Sequence, residues 1–156
     1  MSKNLHQMVQ IDRRQALKAA GAGVLAMGFA GVANATPEAT TAAIGKLGTT
    51  GTANSGKISI KLPELAENAA SVTLTVNVDS PMTAADHVKQ IHVFAEHNPS
   101  PEVVTFNLTP TNGKAEVTTR MRVAKTQNIV VAAVMNDGTV HTNQKEVKVT
   151  IGGCGG

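Results

Sequence analysis

The 156-residue chain contains no tryptophan, no tyrosine and only three phenylalanines. Without aromatic rings there is no platform on which nucleobases or sugars could stack, which argues against nucleic-acid and carbohydrate partners. Cysteine is equally scarce. A single residue, Cys154, cannot close an internal disulfide, so a disulfide-stapled fold is excluded. Long apolar runs are missing too: the longest, Ala19 to Val32, is interrupted by glycines and falls short of the ~20 residues that span a bilayer.

That run belongs instead to an export signal. Arg13 and Arg14, followed by Leu17 and Lys18, form its charged entry, and Ala33-Asn34-Ala35 supplies an A-x-A cleavage site. The paired arginines read as a twin-arginine signal, although Ala16 stands where a bulky residue is common. Residues 1–35 are therefore expected to be removed after Ala35, and the protein to be periplasmic. Lys3, Arg13, Arg14, Lys18 and Asp12 leave with the leader, so a mature chain of 121 residues retains ten basic and ten acidic side chains. No basic stripe remains to meet phosphates. The mature length suits one domain.

Residues 36–56 read as a short helix and a linker. Thr36 can cap the helix, Pro37 suits its first turn, Ala43, Ile44 and Leu47 recur at helical spacing, and Gly48 can end it. From Lys57 the period becomes two. Ile58, Ile60 and Leu62 alternate with polar residues, as do Val72, Leu74, Val76 and Val78 after the PELAEN connection. HVKQIHVFAEH and EVVTFNL flank an NPSP turn. Thr111-Asn112-Gly113 gives a hairpin signal into KAEVTTRMRV, NIVVAAVM suits a central strand, and Asn136-Asp137-Gly138 turns the chain toward a last strand marked by Val147, Val149 and Ile151. About seven short strands with regular turns predict an all-β fold, an immunoglobulin-like antiparallel β-sandwich over residues 57–151.

Most chemistry-bearing residues form no pattern. His87, His92 and His97 fall five apart, which puts successive histidines on opposite faces of a strand, so they read as surface or turn residues and no metal site is expected. Asp79, Asp86 and Glu96 come without a partner motif for acid–base work.

The exception is the end of the chain, VTIGGCGG. Cys154 is the third residue from the end of the sequence, with Gly152 and Gly153 before it and Gly155 and Gly156 after it. Glycine has the widest backbone freedom and no bulk, so residues 152–156 read as a swinging arm that can enter a narrow cleft. A free thiol exposed to an oxidising compartment is a liability unless it is used. No His, Lys or Arg lies within five residues to favour the thiolate, so activation is expected from whatever site receives the arm. That favours a covalent carrier, without catalysis or cofactor of its own, over an autonomous enzyme.

The GGCGG tail, the twin-arginine start and the stretches LPELAENAASV, VDSPMTAADHVKQIHVFAEHNPSPEV and GKAEVTTRMRVAKTQNIVVAA resemble the SoxY family, sulfur-carrying subunits of the thiosulfate-oxidising Sox system. The resemblance covers nearly all of the mature chain. It implies that Cys154 carries sulfur intermediates covalently and that the protein pairs with SoxZ. It also implies transient partners: the haem enzyme SoxXA, which would load thiosulfate; the hydrolase SoxB, which would release sulfate; and, where present, a sulfane dehydrogenase. Two other readings fit the residues. A thiol redox or scavenging protein would need a second, resolving cysteine, and a plain β-sandwich interaction module would leave the tail incidental.

Overall fold

The computed structural model describes residues 35–51, 53 and 55–150. In chain order it contains α1 (Pro37–Gly45), β1 (Thr49–Thr50), β2 (Ile58–Lys61), β3 (Leu65–Ala66), β4 (Val72–Val78), β5 (Val88–Ala95), β6 (Glu102–Asn107), a single 3-10 turn (Pro110–Asn112), β7 (Ala115–Met121), β8 (Gln127–Met135) and β9 (Thr139–Val149). The larger sheet runs β1-β9-β8-β5-β6, with β3 also on β9, and the smaller runs β2-β4-β7. The expected β-sandwich is present.

Alternation builds the core between the sheets. Ile58, Val72, Leu74, Val76 and Val78 of the small sheet meet Ile91, Val93, Ala95, Ile129, Val131, Ala133 and Val147 of the large one. Each buried Val, Leu or Ile among them contributes about 1.5–3 kcal/mol, enough in sum to hold the layers together without staples. NIVVAAVM is indeed central, lying between β9 and β5. It is apolar throughout because its second face is covered as well. Ala43, Ile44 and Leu47 pack on Phe94, Val130, Ala132, Val134 and Val140, forming a second core on the outside of the large sheet.

Thr36 caps α1 by accepting from the Ala39 N–H at 3.2 Å, and Pro37 occupies the first turn. The helix ends at Gly45, one turn before the expected stop at Gly48, where the Lys46 N–H donates to the Ala43 carbonyl at 3.2 Å and the Leu47 N–H to the Ile44 carbonyl at 3.0 Å. Gly48 serves a closer purpose. A Cβ there would lie 2.5 Å from the Gly138 carbonyl oxygen, so only glycine lets the chain pass the β8–β9 turn.

The count of strands differs from seven because β1 and β3 fall in segments read as linker and connection. Both are two residues long, and both pair parallel to β9, at Thr139–Val140 and at Lys148–Val149. Two residues carry no period. β9 also begins earlier than its valines indicate, at Thr139. The Thr111-Asn112-Gly113 signal is a tight turn, with Gly113 at φ 70°, yet it carries the chain from one sheet to the other instead of closing a hairpin. Asn136-Asp137-Gly138 does close the β8–β9 hairpin, with Gly138 at φ 86° and the Asp137 carboxylate accepting from the Thr139 N–H at 2.8 Å.

Candidate functional site

Cys154 and the glycines Gly152, Gly153, Gly155 and Gly156 lie outside the described residues, as do Ile151 and the leader arginines Arg13 and Arg14. What the structure does describe is the base from which that segment departs. β9 is flanked on both sides almost to its last residue. On one side the Lys148 N–H donates to the Glu64 carbonyl at 2.9 Å and β3 pairs Leu65 with Lys148 and Ala66 with Val149. On the other, β8 pairs Gln127 with Val147, and beyond it the Val149 N–H donates to the Thr126 hydroxyl oxygen at 3.0 Å. Val147 anchors the strand in the core at 0% exposure. The chain is thus pinned as far as Val149, and Cys154 follows five residues later, a reach of at most ~17 Å.

Thr126 is itself held by a buried polar network. Gln127 donates through Nε2 to the Asn98 Oδ1 at 3.0 Å and to the Lys125 carbonyl at 3.1 Å, and its Oε1 accepts from the His97 N–H at 2.7 Å. Asn98 donates through Nδ2 to the Arg122 carbonyl at 2.9 Å and accepts from the Ala124 N–H at 3.0 Å. Every side-chain polar atom of the two amides therefore has a partner, which is the condition under which buried polarity rigidifies a structure. The loop 122–127 is fixed, and with it the seat of Val149. Ala35, the residue expected to precede the cleaved bond, reaches the same place: it is 3% exposed and its N–H donates to the Asn98 carbonyl at 3.0 Å. Sequence reading missed Asn98 and Gln127 because an isolated amide at a strand end has no periodic signature.

The histidines separate as expected, but one is not a surface residue. His87 sits at a turn, its Nδ1 3.0 Å from the Thr83 carbonyl, and His97 follows β5. His92 is 6% exposed, because the outer face of β5 is covered instead of solvated. Its Nδ1 lies 2.8 Å from the Thr105 hydroxyl and 3.2 Å from Glu102 Oε1. Thr105 donates its own proton to Glu102, so its oxygen must accept from His92, and the imidazole carries its proton on Nδ1. Nε2 is left buried and unpartnered. The Thr105 hydroxyl, and after it His92, lowers the Glu102 carboxyl below its ordinary value by bonding the charged form. Among the described residues, no three His, Cys, Asp or Glu side chains group to hold a metal, and no helix is long and apolar enough to cross a membrane.

Fold and base together define a class: an immunoglobulin-like β-sandwich whose last strand is pinned just ahead of a glycine-flanked C-terminal thiol. Residues 42–154 match the family described as sulfur oxidation protein SoxY. The solved sulfur carrier protein SoxY from Chlorobium limicola f thiosulfatophilum is 38% identical, with 71% of this chain and 94% of that one covered at a TM-score of 0.58. The chain belongs to the SoxY family, and its role is that of a carrier in sulfur oxidation. A superoxide reductase (neelaredoxin) from Ignicoccus hospitalis is 21% identical, covering 75% of this chain and 95% of that one at a TM-score of 0.54. A putative superoxide reductase from Thermotoga maritima is 20% identical, covering 68% and 96% at a TM-score of 0.54. At those identities the likeness shows the fold alone. No curated protein matches the sequence.

Proposed function

We propose that this protein carries thiosulfate-derived sulfur on Cys154 in the periplasm, exported by the twin-arginine route, and presents it to the other Sox proteins. SoxZ is its stable partner. In loading, the Cys154 thiolate and the outer sulfur of thiosulfate join in an S–S bond while two electrons leave to the haem enzyme SoxXA. In unloading, water attacks the terminal sulfonate sulfur with SoxB, sulfate departs, and a persulfide remains on Cys154. A sulfane dehydrogenase, where present, oxidises that remaining sulfur. The carrier supplies the handle and the reach; bond-making chemistry and cofactors belong to its partners.

The observation that carries this reading is the family match, which runs through Cys154 itself. The pinned end of β9 supports it, because an arm that starts from a fixed point delivers its thiol to a defined region. Reversible capping of cysteine by sulfur suits repeated loading and release. The test is the intact mass of the protein from thiosulfate-grown cells, measured beside Cys154→Ser. Thiosulfonate and persulfide adducts on the native chain, absent from the variant, are expected. A native chain that is never modified, or a variant that is modified equally, refutes the assignment.

A further inference from the structure

The outer face of the small sheet is ruled by register into rows. Ser59, Asn77 and Glu116 form one row, and Lys61, Thr75 and Thr118 the next. Thr73 and Arg120 follow, and Arg122 continues the same outward stripe one row beyond. Hydroxyl and amide side chains floor this face, and no large apolar side chain of these strands points onto it. The Thr75 and Thr118 hydroxyls bond each other at 3.0 Å. Its one carboxylate, Glu116, accepts from the Asn77 amide at 3.0 Å, beside a shallow recess of about 150 Å³ that reaches to Lys61.

Lys61, Arg120 and Arg122 are all exposed, and among the described residues none has a carboxylate within 4.0 Å, the one ion pair there being His92 with Glu102. With strands ~4.8 Å apart and a ~6.8 Å step between rows, Lys61 and Arg120 stand roughly 12 Å apart across the face. Their long side chains can serve one anionic surface together. Glu64 and Glu67 lie beyond the end of β2, in the connection to β4.

The cations occupy the end of the sandwich where β9 stops. β2 leads into β3, which runs parallel to β9 and meets it at Lys148 and Val149. β4 runs back from that end and β7 returns to it, which places Arg120 and Arg122 there, and the Arg122 carbonyl is the one that Asn98 holds in the network behind Thr126. Face and arm thus leave from one end.

We propose that this face is the docking surface for an acidic protein surface, carried by the enzyme that receives the Cys154 arm. A polar, flat, cationic patch fits a transient, salt-sensitive encounter. A permanent subunit interface is typically larger and more apolar. The inference rests on the carrier reading and names its partner's chemistry.

The test is thiosulfate-dependent electron release by the reconstituted Sox system at rising carrier concentration, at low and at physiological salt. The triple variant Lys61→Gln, Arg120→Gln, Arg122→Gln is compared with the native chain and with Lys46→Gln, Lys89→Gln, which removes exposed charge elsewhere. Melting and alkylation of Cys154 by neutral iodoacetamide check fold and thiol. The expected result is a KM for the carrier raised about tenfold or more at low salt with kcat held, and loss of the native salt dependence, because screening acts on the same charges. Equal KM values and equal salt slopes in native and triple variant overturn the proposal. So does loss of the SoxZ complex by native mass spectrometry, which assigns the face to the permanent partner. Failure of the carrier reading is a separate result, since the native chain itself then supports no turnover.

Discussion

Asn98→Ala probes whether the polar network truly seats the end of β9. Asn98 is 9% exposed and makes three side-chain bonds, to the Arg122 carbonyl at 2.9 Å, the Ala124 N–H at 3.0 Å and Gln127 Nε2 at 3.0 Å. Truncation strips all three. Gln127 keeps its second bond, to the Lys125 carbonyl at 3.1 Å, so its loss is partial. The Arg122 carbonyl and the Ala124 N–H are left to partly accessible solvent, and an unsatisfied buried group costs about 1–3 kcal/mol. Allowing for that access, the sum is about 2–4 kcal/mol. For a domain of this length it corresponds to a fall in Tm of roughly 10 °C. Urea unfolding with an unchanged m-value measures the global loss, and hydrogen exchange at the Val149 amide measures the local one. A loss below about 1 kcal/mol refutes the network as a structural element. A full loss with unchanged Val149 exchange refutes its link to the arm.

Gly48→Ala drives a Cβ to 2.5 Å from the Gly138 carbonyl oxygen and is expected to destabilise by about 1–3 kcal/mol, whereas Gly45→Ala, with nothing within 4 Å, is neutral or stabilising; paired thermal melts decide it, and equal Tm values refute the close-approach argument. Glu102 has its pKa lowered in the folded state by Thr105 and then His92, so its contribution is present above its ordinary value of 4.5 and disappears as pH falls through the lower folded value. The Tm gap between native and Glu102→Gln should therefore be open at neutral pH and close below about pH 4.5, and it should be modest because the carboxylate is half exposed; a gap constant with pH rejects the pairing. Replacing both Gly152 and Gly153 with Val should leave melting and Cys154 alkylation unchanged while cutting reconstituted sulfur transfer at least about tenfold, since misplacement by ~1 Å in an enzyme site can cost ~10²-fold; unimpaired turnover shows that the glycines are not needed.

The β-sandwich was legible wherever one strand face meets the core, as in β4, where Val72, Leu74, Val76 and Val78 are buried and the residues between are not. It was illegible where pairing is purely backbone, as in β1 and β3. β9 shows why its start was hidden. Opposite Ala133, Val131 and Ile129 it places His141, Asn143 and Lys145, because there the strand borders β2 and Asn143 uses its amide to bond the Ile58 carbonyl at 2.7 Å. A polar side chain that closes the side of the sandwich breaks the period that marks a strand. His92 was misplaced for a related reason: on the outer face of β5, which alternation reads as exposed, the imidazole stacks on Phe94 and is flanked by Thr105 and Glu102 of β6, and such burial is a tertiary event with no local sign. Cys154 is the converse case. Its spacing among glycines is a property of the sequence itself and is read there directly.

That division follows from what each part has to do. On the proposed carrier role, the thiol lies within ~17 Å of Val149, five residues along the chain, and tethering over such a distance holds a group near a docked partner at an effective concentration in the millimolar range. The tether confers that advantage only if its origin is fixed, for every ångström of play at Val149 enlarges the volume the sulfur must search. Hence the bonds from both sides at the strand's end, by Glu64 and β3 on one and Thr126 on the other, with Gln127 and Asn98 behind them. Substitutions in the glycines should therefore act on delivery alone. Those in the seat should act on stability first and on delivery through it, so the two sets are separable by comparing turnover with melting in the same variants.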